Sequence, residues 1–150
     1  RIFMDPIDCP FQVGRKVVQE LKSKGAAAII VDMHAEATSE KKAMGHFLDG
    51  HVSAVVGTHT HVQTADEEIL LGGTAYLSDA GMVGIARSVI GVEIAPILER
   101  FLTQVPVKFE VPRSGEVLMC GVVIELNSSG RAVKIERIQE RHPYGGDGRQ

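Results

Sequence analysis

The stretch AAAIIVDMHAEATSEKKAMGHFLDGHVSAVVGTHTH, residues 26–61, decides the fold class. Ala26 to Met33 is a continuous apolar run, the pattern of a strand buried on both faces. Thr38 or Ser39 can cap a helix that carries Ala43, Met44, Phe47 and Leu48 on one side. Glu40 in its first turn complements the helix dipole. Asp49-Gly50 ends the helix, and Val52 to Val56 reads as a second short buried strand. Strand, helix and strand in this order predict neighbouring parallel strands and an α/β domain.

Outward from this unit the same alternation continues. Arg1 to Met4 is a short strand broken by Asp5-Pro6. Gly14 to Lys24 has Val17, Val18 and Leu21 at helical spacing, with Gly25 as its C-cap. Ile69 to Ser78 holds two apolar pieces around Gly72-Gly73, a hairpin pattern. Val92 to Gln104 is helical, with Pro96 inside the first turns, where it is tolerated. Val107 to Val111, Glu116 to Asn127 and Ala132 to Ile138 read as an antiparallel ladder, the last two joined at Asn127-Ser128-Ser129-Gly130. The Gly-rich tail, 144–150, is expected to be disordered. The reading is one domain over 1–143.

Composition excludes several classes. The 150 residues carry a net charge of −3, unlike a general phosphate-backbone binder, so stable nucleic-acid binding is not expected. No apolar run reaches the ~18 residues of a membrane span. Cys9 and Cys120 lie far apart without a CxxC, which gives neither a disulfide framework nor a thiolate zinc site. The sequence begins at Arg1 without an initiator Met or a signal peptide. It is read as a piece of something longer, with a cytoplasmic location expected.

Histidine placement points to chemistry. His34, His46, His51, His59 and His61 are five of the six histidines. His34 follows the first strand, and His59 and His61 follow the second in Gly57-Thr58-His59-Thr60-His61. Open α/β sheets place ligands at such strand ends. In extended backbone, residues i and i+2 point the same way, so His59 and His61 can converge on one site. His34, His59 and His61 are therefore candidate metal ligands. His46 and His51 lack a spacing partner and are read as surface residues. Asp32 and Glu36 flank His34; Asp32 either holds a ligand histidine in one tautomer or bonds to backbone. Asp79 at another strand end is a candidate for the same cleft. Asp66, Glu67 and Glu68 read as a solvated loop, Asp5 and Asp8 as turn-formers, and Cys9 as a small buried residue. Three histidines without a clear bridging carboxylate make either a one-metal site or part of a larger one.

These residues carry a resemblance. MDPIDCPF, the run from Val31 to Gly84, and SVIGVEIAPILERFLTQVP resemble the YmdB-like metallophosphoesterases, 2′,3′-cyclic-nucleotide 2′-phosphodiesterases of the calcineurin-like superfamily. The resemblance implies part of a four-layer α/β/β/α sandwich and two divalent metal ions, iron or manganese, with zinc allowed. It implies that His34 and His59 hold one metal and His61 the other. A small phosphodiester substrate follows, with room for a homo-oligomer. The family's first Asp motif, bridging Glu, Asn pair and general-acid His belong to an N-terminal half, and none of those motifs is in this sequence; residues 1–143 therefore resemble the C-terminal portion of a single metallophosphoesterase domain. Gly84-Ile85-Ala86-Arg87 is also less polar than in the family. The expectation is that these 150 residues bind metal weakly and hydrolyse little by themselves. The alternative is a non-catalytic α/β module that binds a metal or a phosphorylated ligand.

Overall fold

A computed structural model describes residues 8–145. Chain order is α1 (Pro10–Ser23), β1 (Ile30–His34), α2 (Thr38–Phe47), β2 (Ala54–Thr58), β3 (Glu68–Ile69), β4 (Ala75–Leu77), β5 (Val83–Ile85), α3 (Ile94–Thr103), β6 (Gly115–Leu126) and β7 (Ala132–Tyr144). The α/β class holds. One sheet has the order β1-β2-β4-β3, and a second has the order β5-β6-β7. β1, β2 and β4 run parallel, and β3 returns antiparallel to β4 as the expected hairpin. β6 and β7 form a long antiparallel ribbon.

Side-chain alternation along β2 separates two cores. Val55 faces one way with Met33 and Tyr76 and packs against Val18 of α1 and Met44 and Leu48 of α2. Ala54 and Val56 face the other way, with Ala75, and meet Ala132, Ile124, Leu126 and Ile135 of the ribbon. Small residues at 54, 75 and 132 let the two sheets approach closely. Helices α1 and α2, the mixed sheet and the ribbon thus stack in three layers.

Several sequence expectations are corrected. Strand β1 starts at Ile30 rather than Ala26 and is not buried on both faces: Ile30 is 64% exposed. β1 is the edge strand of its sheet, and among the described residues only β2 pairs with it. The N-cap of α2 is Ala37, with no side-chain cap bond from Thr38 or Ser39. Its buried stripe is Lys41, Met44, Gly45 and Leu48, while Ala43 and Phe47 face outward. Residues 107–111 form no strand; the Glu93 N–H donates to the Glu110 carbonyl at 2.8 Å. Tyr144 ends β7 rather than opening a tail, and the strand expected at 1–4 lies outside the described residues, as do 146–150. Cys9 is half-buried at the start of α1, not enclosed. No helix among the described residues is long and apolar enough to cross a membrane.

Candidate metal centre

Parallel pairing sets the site. The β1–β2 register places His34 opposite Thr58 at the C-terminal ends of both strands. His34 Nδ1 lies 3.0 Å from Thr58 Oγ1, and that hydroxyl donates to Asp32 Oδ1 at 2.7 Å. With its proton given to Asp32, the Thr58 oxygen accepts from His34 Nδ1–H. The relay therefore leaves the lone pair of His34 on Nε2. Asp32 takes the tautomer-fixing role, but through Thr58 rather than by direct contact.

His59 completes a close pair. Its Nδ1 is 3.1 Å from His34 Nε2, and its Nε2 is 2.7 Å from Glu36 Oε2. If His59 gives its Nε2 proton to Glu36, two ring lone pairs face each other. A proton or a cation between them relieves that opposition. Two nitrogens bound to one ion at 2.0–2.1 Å lie about 3 Å apart when they are neighbours in its shell. The His34–His59 spacing fits a shared ion, and the imidazole set with nearby carboxylates suits zinc, iron or manganese.

His61 is placed differently. Its Nδ1 is 2.8 Å from the Ile90 carbonyl, so Nδ1 holds the proton and Nε2 is left as an acceptor. The structure brings His34 and His59 into contact and ties His61 to the 88–92 turn. Among the described residues, no three His, Cys, Asp or Glu side chains converge closely enough to hold an ion by themselves. His46 and His51 are exposed, as read from their spacing.

The backbone here is strained. His59 has φ 116° and His61 φ 66°. For non-glycine residues such values cost about 1–3 kcal/mol each and persist only where the surroundings enforce them. The enforcing groups lie underneath. Asp79 Oδ2 accepts the Thr60 N–H at 2.9 Å and Lys41 Nζ at 2.7 Å, and Oδ1 accepts the Gly81 N–H at 3.0 Å. Asp79 does not line the cleft; it is buried below the loop. Gln63 donates to the Gly121 carbonyl at 2.8 Å and so joins the loop to the ribbon.

The expected solvated loop at 66–68 is a bonded corner instead. Asp66 accepts from the Ser78 N–H and hydroxyl, Glu67 pairs with Arg137 at 2.7 Å, and Glu68 opens β3. Burial pushes the Asp66 carboxyl up, but bonds from Ser78 and Thr64 outweigh it and hold it below the usual aspartate range. Asp79 behaves likewise: burial raises it, and Lys41, Thr60 and Gly81 bring it below the usual aspartate range. Folded values below the unfolded ones mean stability that is complete above about pH 5 and lost as pH falls further. Thermal midpoints measured from pH 7 to pH 3 should stay level to about pH 5 and then drop. Asp66→Asn should lower the midpoint at pH 7 and flatten the acid slope.

Sequence reading misses Thr58, Lys41 and the Ile90 carbonyl. Lys41 does leave a signal, since it stands at i with Met44, Gly45 and Leu48 at i+3, i+4 and i+7. The Ile90 carbonyl leaves none, because it belongs to a turn 29 residues away from His61.

Similar proteins place this chain in a family. Residues 1–138 match the YmdB-like protein family. The 2′,3′-cyclic-nucleotide 2′-phosphodiesterase of Bacillus subtilis is 48% identical over 139 residues, covering 92% of this chain and 52% of that protein. A crystal structure of a hypothetical protein from Thermus thermophilus superposes with TM-score 0.83 at 43% identity, over 95% of this chain and 55% of its own. A novel phosphatase from Mycoplasma pneumoniae gives TM-score 0.83 at 32% identity, over 95% of this chain and 51% of its own. The chain thus spans about half the length of the relatives it matches. On the match over residues 1–138 and the identity to the Bacillus protein, the chain belongs to the YmdB-like protein family.

Proposed function

We propose that this chain supplies the histidine side of a metallophosphoesterase site that hydrolyses small phosphodiesters such as 2′,3′-cyclic nucleotides. The observation that carries the reading is the 3.1 Å approach of His34 Nε2 and His59 Nδ1 at adjacent strand ends. The name and 48% identity of the Bacillus relative support the substrate class. His34 and His59 would hold one divalent ion and His61, through Nε2, a second. Iron and manganese suit such a site, and zinc is compatible with its imidazoles. When bound, such a pair of ions supplies Lewis acidity that acidifies a water and offsets charge on the phosphoryl oxygens.

The chain's own residues do the preparation. Asp32 and Thr58 hold the His34 proton on Nδ1. Glu36 holds one on His59 Nε2, and the Ile90 carbonyl holds one on His61 Nδ1. Each ring is thereby turned and left with one acceptor nitrogen. Residues 1–143 belong, on this reading, to a single metallophosphoesterase domain, to which they contribute nitrogen ligands but few oxygen ones.

Calorimetric titration with Mn²⁺ tests this. The parent chain should show weak binding that His34→Ala and His59→Ala each abolish. With Mn²⁺ and 2′,3′-cyclic AMP, turnover should be slight and vanish in His59→Ala. Binding untouched by either substitution would overturn the ligand assignment. Robust turnover abolished by His59→Ala would instead show a site sufficient within these residues.

A further inference from the structure

Lys41 and Asp79 are each 1% exposed, and their 2.7 Å contact joins α2 to the segment after β4. A buried ion pair is seldom the most stable choice, because desolvation consumes most of its Coulombic gain. Apolar side chains of similar volume would fill the same space. What they would lack is an acceptor. Asp79 Oδ2 serves Lys41 Nζ and the Thr60 N–H together, and Oδ1 serves Gly81. Thr60 stands between His59 and His61, two histidines with positive φ. The peptide that links them is therefore fixed by one buried carboxylate.

We infer that Lys41 and Asp79 are positioning residues: Asp79 clamps the Thr60 N–H and thereby aims the rings of His59 and His61, while Lys41 neutralises the buried carboxylate. The assignment deepens the proposed function and rests on its reading of those histidines as ligands. Asp79 acts through the backbone N–H of residue 60, and Lys41 acts through Asp79. Asp79 is doubly suited, because its own N–H donates to Thr64 Oγ1 at 2.9 Å and its carbonyl accepts the Thr64 N–H at 3.1 Å. The loop is thus tied at residue 60 by the side chain and at residue 64 by the backbone.

The double variant Lys41→Met/Asp79→Leu separates positioning from packing. It should fold with a thermal midpoint at or near the parent's, as apolar replacement of buried pairs often does. In the metal-free chain, amide hydrogen exchange at Thr60 should accelerate at least ~100-fold while Thr64, bonded through backbone, keeps its protection. Affinity for Mn²⁺ alone should fall about 10- to 100-fold, the usual loss when a ligand's supporting partner is removed. Unchanged Thr60 exchange and unchanged Mn²⁺ affinity in the folded double variant would overturn the inference and leave the pair a packing element. If the double variant does not fold, Lys41→Leu/Asp79→Val, which also removes both acceptor oxygens, is read the same way. If the parent binds no Mn²⁺, the ligand reading fails, and Thr60 exchange still decides whether the clamp exists.

Discussion

Gly57→Ala is expected to leave little or no folded protein. A Cβ at residue 57 would lie 1.8 Å from the Ser78 carbonyl oxygen, 2.6 Å from its carbon and 2.8 Å from Lys41 Cδ. Two of those atoms are backbone and cannot swing aside. The Ala80 N–H also donates to the Gly57 carbonyl at 2.8 Å, which binds the two segments at this spacing. Overpacking a core usually costs about 1–3 kcal/mol by repacking side chains. Here a strand must shift, so about 3–5 kcal/mol is expected, a large share of the usual 5–15 kcal/mol. The thermal midpoint should fall by about 10 °C or more, or the variant should accumulate insoluble. A soluble variant melting with the parent would show that β2 and the segment after β4 are further apart than described.

Asp79→Leu alone is expected to be the second most damaging change. It leaves the Lys41 ammonium at a position 1% exposed without its counter-charge. Removing one partner of a buried pair costs about 3–5 kcal/mol, more than removing both. The single variant should therefore unfold at lower urea than the Lys41→Met/Asp79→Leu double variant. Urea midpoints of the parent, the two singles and the double measure the coupling directly. Equal losses in single and double would mean that Lys41 finds water or another partner once Asp79 is gone.

The relation of sequence to site is uneven. Strand ends are legible because a parallel strand in a sheet writes its pattern locally: AAAIIV and VSAVV differ sharply from the polar helix between them. His34, His59 and His61 stand out on that basis. The spacing of Lys41 with Met44, Gly45 and Leu48 marks it as a stripe residue, but its partner is not legible, because Asp79 stands 38 residues away. The loop at 66–68 escapes for the same reason. Asp66 and Glu67 are held by Ser78 and Arg137, which no local pattern links to them. The third ladder strand expected at 107–111 does not form; β5 fills that edge, and its three residues are too few to stand out in the sequence.

By itself, the sequence determined the α/β alternation, the parallel strands and the histidines at their ends, because these depend on period and on neighbours within a few residues. Tertiary structure alone decided the rest. It set which group each ring nitrogen faces: Thr58 for His34, Glu36 for His59 and the Ile90 carbonyl for His61. It also set two histidines in positive-φ backbone over a buried carboxylate. Ring tautomers and loop strain are fixed by groups distant in the chain, and pattern along the chain holds no record of which of them meet.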